Sequence, residues 1–98
     1  MIYIHQIIII NMSEYIFLIQ DNRFSNNFES IYKICKNKYL IDEPIDSKLL
    51  LYTECNNCDE KFDSISILFK QHFIHMKEIG NDYYKGDLNI MIDIFQYI

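Results

Sequence analysis

Two cysteines and two histidines in the second half of the chain have the residue types, and nearly the spacing, of a structural zinc site. Two residues separate Cys55 from Cys58, thirteen separate Cys58 from His72, and two separate His72 from His75. Zinc prefers thiolate and imidazole ligands, and the usual finger has about twelve residues in the linker and roughly three to five between the histidines. The spacing therefore suggests a Cys2His2-type zinc-binding module, with Zn as the cofactor, as one hypothesis.

The apolar periodicity of the same region predicts a helix that is incompatible with such a site. Over Phe62–Met76, apolar residues recur at spacings of three and four, the pattern of one helix face. A helix that begins near Asp59 would separate Cys58 from His72 by roughly 20 Å. Zinc ligand atoms lie about 2.0 to 2.3 Å from the ion. We therefore prefer the helix without a metal, and the zinc alternative requires residues 59–64 to fold as a strand and turn.

The composition indicates one domain with an acidic charge balance. Half of the 98 residues are apolar, which is enough for one core and leaves no room for a second domain. The net charge is −5, whereas sequence-independent affinity for nucleic acid comes largely from lysine and arginine. We expect weak or no nucleic-acid binding, with a local basic patch at Lys33, Lys36 and Lys38.

The cysteine count favours free thiols. The chain has three cysteines, an odd number, and no recognisable secretory signal. We therefore expect an intracellular protein of a reducing compartment, the cytoplasm or the nucleus. Cys35 has no histidine near it in sequence, so we expect a small buried hydrophobe rather than a nucleophile.

The first ten residues, MIYIHQIIII, form an apolar stretch that is too short to span a membrane. We expect a strand or an apolar lead-in, and no membrane association. The sequence MSEYIFLIQ, from Met12, resembles a natural protein start, so residues 1–11 could be an extension of a core at 12–98. An ordered isoleucine-rich edge could pair with a protein partner or cover the domain's own sheet.

Hydropathy patterning predicts an α+β fold: a small, mainly antiparallel three-stranded sheet covered by a long helix, with a short C-terminal helix. The loop with Pro44 precedes the third strand, and Gly80 suits the end of the long helix. The first two strands are expected to pair antiparallel. The predicted strands are Tyr15–Gln20, Ile31–Cys35 and Leu49–Thr53, and the terminal helix is Leu88–Ile98.

The order of several short motifs resembles the GIY-YIG endonuclease superfamily, above all its compact branch found in phage and large DNA viruses. YIFLIQ and IYKIC match a strand pair, LLLYTECNNC leads into a helix, and IGNDYYKGD follows that helix. The likeness covers about residues 14–98. It implies a small three-stranded sheet flanked by helices and, in active members, metal-dependent cleavage of DNA phosphodiesters.

The site residues of that superfamily carry over only in part. The last residue of the first motif falls on Phe17, where active members use a tyrosine hydroxyl. The second motif falls on YKIC, so Tyr32 and Lys33 are candidate polar groups and Cys35 replaces the final glycine. The metal-binding glutamate falls on Phe62.

The arginine that follows the second motif has no counterpart between Lys36 and Lys48. Arg23 and Asp63 could substitute for the missing arginine and glutamate, with Mg²⁺ or Mn²⁺ as the metal. Such hydrolysis needs a metal-bound carboxylate, an oriented water and a cation on the developing charge. We therefore expect a catalytically degenerate domain that acts as a binding or interaction module, with a weak endonuclease as the alternative.

Overall fold

The centre of the fold is strand β1, Glu14–Asp21, a run rich in β-branched and aromatic residues. The computed structural model describes residues 14–24, 30–38 and 46–98. On one side β1 pairs antiparallel with β2, Tyr32–Asn37, as the sequence predicts. On the other side it pairs antiparallel with β3, Ser47–Cys55, with a register shift at Leu18/Ile19.

Helix α1, Cys58–His72, follows strand β3 after a short turn. The Asn57 side chain accepts a hydrogen bond from the Asp59 backbone N–H at 3.2 Å and caps the first turn. The negative charges of Asp59 and Glu60 in that turn interact favourably with the positive end of the helix dipole. Residues 59–64 are therefore continuous helix, and the strand and turn that the zinc alternative requires are not formed.

The long helix is shorter than its periodicity predicts. It ends at His72, and Phe73 is its extended C-cap, so the prediction of a helix to Gly80 is wrong. Strand β4, Ile74–His75, follows and pairs with β5, Tyr83–Lys85, which also pairs with β2. Within the described part of the chain, the sheet is thus antiparallel with five strands in the order β3-β1-β2-β5-β4, rather than three.

Helix α2, Leu88–Tyr97, confirms the predicted C-terminal helix. Asp87 caps it by accepting a hydrogen bond from the Asn89 backbone N–H at 2.8 Å. Both helices contribute to one core over one face of the sheet, where Phe69 lies edge-on to three other rings. Those rings belong to Phe73, Tyr84 and Phe95.

Three sequence predictions lie outside the described residues. They concern the isoleucine-rich stretch at 1–10, the alternative start at Met12 and the loop with Pro44. Among the residues that are described, no helix is long and apolar enough to cross a membrane.

Candidate functional site

The side chains of β1 alternate between the two faces of the sheet, and this alternation decides where the nuclease-matching residues lie. Ile16 and Leu18 belong to the core under the helices, which we call the helix face. Phe17 points to the opposite face, where its ring lies 6.1 Å from those of both Tyr15 and Tyr52. We call this second side the aromatic face. Phe17 has no exposed surface at all, so it is a packing residue there.

The two polar candidates of the second motif lie on different faces. Tyr32 is 7% exposed and belongs to the core of the helix face. Lys33 pairs with Ile19, two residues from Phe17, and therefore lies on the aromatic face. The structure thus places Lys33 on the side of Phe17 and separates both from the Tyr32 side chain.

The helix position that matches the metal-binding glutamate is occupied by Phe62, which is partly buried and packs against the core of the helix face. Asp63, the substitute considered for it, is exposed on α1. A phenyl ring cannot coordinate a divalent ion, and the packed side of α1 faces away from Phe17. The structure therefore does not gather the nuclease-matching residues around one point.

Arg23, the substitute arginine, is held by a buried carboxylate. Its Nε and Nη2 atoms donate hydrogen bonds to Asp21 Oδ1 and Oδ2 at 3.1 and 2.8 Å. The Arg23 backbone N–H donates a third, at 3.0 Å. Arg23 thereby lowers the pKa of Asp21, although burial of the carboxylate acts in the opposite direction. This bidentate pairing neutralises the cation locally.

Arg23 from this pair, a second cation and two rings lie together, and we call them the cation–aromatic cluster. The Arg23 guanidinium carbon lies 5.1 Å from the centre of the Phe24 ring, and Lys33 Nζ lies 5.3 Å from that of Tyr83. Phe24 and Tyr83 are edge-on at 5.9 Å. Sequence spacing does not reveal this cluster, because Arg23 and Phe24 lie in the turn after β1, whereas Lys33 lies in β2 and Tyr83 in β5.

The Cys55 and Cys58 sulfur atoms are bonded to each other, with the Cα atoms 5.4 Å apart. Free thiols were expected at these positions, so the structure differs from that prediction. Cys55 is the last residue of β3 and Cys58 the first of α1, and the turn between them brings the two side chains together. Cys58 is completely buried, whereas Cys55 is partly exposed.

The histidines of the zinc hypothesis lie elsewhere. His72 is the last residue of α1, fourteen residues beyond Cys58, which corresponds to roughly 21 Å along the helix axis. His75 lies in β4, where its ring stacks on Tyr84 at 4.9 Å and its Nε2 lies 2.6 Å from the carbonyl oxygen of Asn81. Within residues 14–24, 30–38 and 46–98, no group of three or more potential ligands is placed to hold a metal ion.

Cys35, the third cysteine, is partly buried on the aromatic face directly opposite Phe17. Burial raises the pKa of its thiol, which favours the protonated form over the nucleophilic thiolate. This environment agrees with a packing role better than with catalysis.

Comparison of this chain with protein-family models, curated proteins and solved structures gave no match.

Proposed function

We propose that this chain is a catalytically degenerate GIY-YIG-like domain that acts as an interaction module for another protein and does not cleave DNA. The proposal is supported by the order of its elements. A β1–β2 hairpin, the strand β3 leading through CNNC into α1, and the NDYYKGD segment before α2 follow the motif order of the resemblance. The short strands β4 and β5 extend the sheet at its far edge.

The observation that carries the proposal is the environment of Phe17. This ring is fully buried between two tyrosine rings of the aromatic face. A hydrolytic site needs a polar group there that can reach a substrate, and a ring with no accessible surface offers neither the group nor the access. The position has therefore become part of the packing of the sheet.

The other two catalytic requirements fail for different physical reasons. Phe62 supplies no carboxylate and packs against the core, so no metal ligand occupies that part of α1. Arg23 already binds the Asp21 carboxylate through two hydrogen bonds, so its charge is not free for a phosphate. Loss of a single oxyanion-stabilising donor typically costs about a hundred- to a thousandfold in rate, and here three groups are affected.

The charge distribution favours a protein over a nucleic acid as the partner. The net charge is −5, and two of the basic side chains, Arg23 and Lys36, are paired with Asp21 and Asp59. Exposed apolar side chains are present instead, among them Tyr52 and Ile74, which are 50% and 60% exposed. Aromatic and apolar surface is typical of protein interfaces, whereas non-specific DNA binding requires unpaired cations.

A nicking assay on supercoiled plasmid tests the absence of catalysis. The wild-type protein, with Mg²⁺ or Mn²⁺, should give no more open-circular DNA than the same reaction with a chelator. Asp63→Asn and Lys33→Ala serve as matched variants, since they remove the substitute carboxylate on α1 and the lysine that shares a face of the sheet with Phe17. Metal-dependent nicking that either substitution abolishes would overturn the proposal.

A measurement of DNA affinity tests the choice of a protein, rather than a nucleic acid, as the partner. Fluorescence anisotropy with labelled duplex DNA at physiological salt should show no saturable binding below about 100 µM, the weak end of ordinary non-specific affinity. Submicromolar binding that falls steeply with salt would contradict an interaction module for proteins.

A further inference from the structure

Cys55 and Cys58 are held at a separation that allows a disulfide to form between them with little movement of the backbone. The motif Cys-Asn-Asn-Cys joins the end of β3 to the start of α1, and the Cα separation of 5.4 Å lies within the usual range for disulfides. This separation is set by the backbone of the turn, which Asn57 fixes by capping the helix. Formation of the bond therefore requires little movement of the chain.

The two sulfurs differ in access. Cys58 has no exposed surface and belongs to the core cluster, whereas Cys55 is partly exposed and packs only at the edge of that cluster. Cys55 is therefore the residue of the pair that a disulfide reagent from solvent can approach, whereas Cys58 is enclosed and lies in position to react with Cys55. This asymmetry assigns separate roles to the two thiols.

The surroundings also support a thiolate at this end of the helix. Cys58 is the first residue of α1, and the partial positive charge of the backbone N–H groups in that turn favours an anionic Cys58 sulfur, the form that closes the disulfide. Of the two acids in the same turn, Asp59 pairs with the Lys36 ammonium, which offsets its charge, and Glu60 is exposed to solvent.

We propose that Cys55 and Cys58 form a redox-active dithiol that exchanges with low-molecular-weight disulfides. The Cys55 thiolate attacks a disulfide RSSR, forms a mixed disulfide and releases one thiol RSH. The Cys58 thiolate then attacks the Cys55 sulfur, closes the internal disulfide and releases the second RSH. The two protons of the dithiol leave with the two RSH molecules, and an external dithiol reverses the reaction.

Thiol counting across a series of glutathione redox buffers tests the exchange. After each equilibration the protein is quenched in acid, unfolded, alkylated and weighed by mass spectrometry. As the buffer becomes more oxidising, the number of alkylated cysteines per chain should fall from three to one in a single two-electron step. Cys35, the free cysteine, should remain alkylated throughout as the internal control. Three alkylated cysteines in every buffer, or a pair that excess dithiothreitol cannot reduce in the folded protein, would overturn the proposal.

Single-cysteine variants test the roles of the two sulfurs. In native buffer with glutathione disulfide, Cys58→Ser should accumulate a mixed disulfide about tenfold faster than Cys55→Ser, because only the Cys55 sulfur is accessible. Both are made in a Cys35→Ser background, so that any adduct reports on this pair. In denaturant the two rates should become equal, which shows that folding causes the difference. Equal rates in native buffer would overturn the assignment of Cys55 as the attacking thiol.

Discussion

Phe17, the position that matches a tyrosine in the similar superfamily, lies in an environment of packed rings. Its ring packs between Tyr15 and Tyr52 with no exposed surface, so a hydroxyl added to it would be buried among rings. A buried hydroxyl without a hydrogen-bond partner costs free energy, because it loses its water. Introducing a tyrosine at this position therefore should not introduce nuclease activity.

The substitution Phe17→Tyr tests this directly. We expect the free energy of unfolding to fall by about 1 to 3 kcal/mol, measured by urea denaturation, and no nicking activity to appear. Tyr52→Phe on the neighbouring, half-exposed ring is the matched control, and should change stability by no more than about 0.5 kcal/mol. A Phe17→Tyr protein that is as stable as the wild type and cleaves DNA would show that the site is still open to substrate.

The Asp21 and Arg23 pair makes stability depend on pH. Because the pKa of Asp21 is lowered, its contribution is complete above the ordinary aspartate pKa and is lost as the pH falls through the folded-state value. In Arg23→Gln the pKa of Asp21 should rise, since the charge and the side-chain hydrogen bonds of Arg23 are lost while the burial of the carboxylate remains.

Urea unfolding from about pH 7 to about pH 3 measures this effect. Compared with the wild type, Arg23→Gln should lose part of its stability at neutral pH and should show a smaller further loss at acidic pH. Lys38→Gln removes an exposed cation as the control and should follow the wild-type curve. Identical pH profiles for wild type and Arg23→Gln would contradict the pairing.

The sequence contained the signals for some residues of the site but not for others. Motif order pointed to Phe17 and Phe62 as apolar residues at positions that are polar in the similar superfamily, and the structure shows that both rings are packed. The bonding of Cys55 to Cys58 was not expected, because an odd cysteine count says nothing about two sulfurs that a tight turn brings together. The Asp21 and Arg23 pair was not expected either, since the predicted first strand ends at Gln20 and residue 21 lies beyond it.

At the scale of elements, α1 shows where periodicity is informative and where it misleads. Its start at Cys58 follows from the cap and the acidic first turn, which are local signals. Its end at His72 could not be predicted, because Phe73 and Met76 continue the helical spacing although the chain is already extended. The tertiary pairing of β4 with β5 decides the outcome there. Strands of two and three residues carry no periodicity of their own.

The Phe69 side chain on α1 packs where both helices meet the sheet. It is completely buried, and its ring lies 4.9 Å from that of Phe73, 5.2 Å from that of Tyr84 and 6.1 Å from that of Phe95. These neighbours belong to the end of α1, to β5 and to α2. Loss of the ring would leave a cavity at the junction of both helices and the sheet.

Phe69→Ala should therefore lower the free energy of unfolding by about 3 to 5 kcal/mol, through lost burial and the cavity that remains. Thermal or urea denaturation measures the change. Ile67→Ala on the same helix, where the side chain is 57% exposed, should cost no more than about 0.5 kcal/mol. Equal losses for the two variants would mean that the α1 face packed on the sheet has been assigned incorrectly.

At the scale of the whole molecule, the antiparallel sheet with helices over one face agrees with the α+β class expected from the sequence. The predicted three strands are its β3, β1 and β2, and the two short strands extend the β2 edge. The resemblance to a nuclease family rests on motif order, whereas the proposed absence of catalysis rests on the burial and pairing of side chains. Scaffold and chemistry can therefore be tested separately.

The most direct test of the central claim is cleavage under single-turnover conditions. Protein in large excess over labelled duplex DNA, with Mg²⁺ or Mn²⁺ and prolonged incubation, removes any limit set by weak binding or slow product release. We predict no product above the chelator control. Metal-dependent product that is lost in Lys33→Ala or Asp63→Asn would contradict the claim that this fold lacks the chemistry of a nuclease.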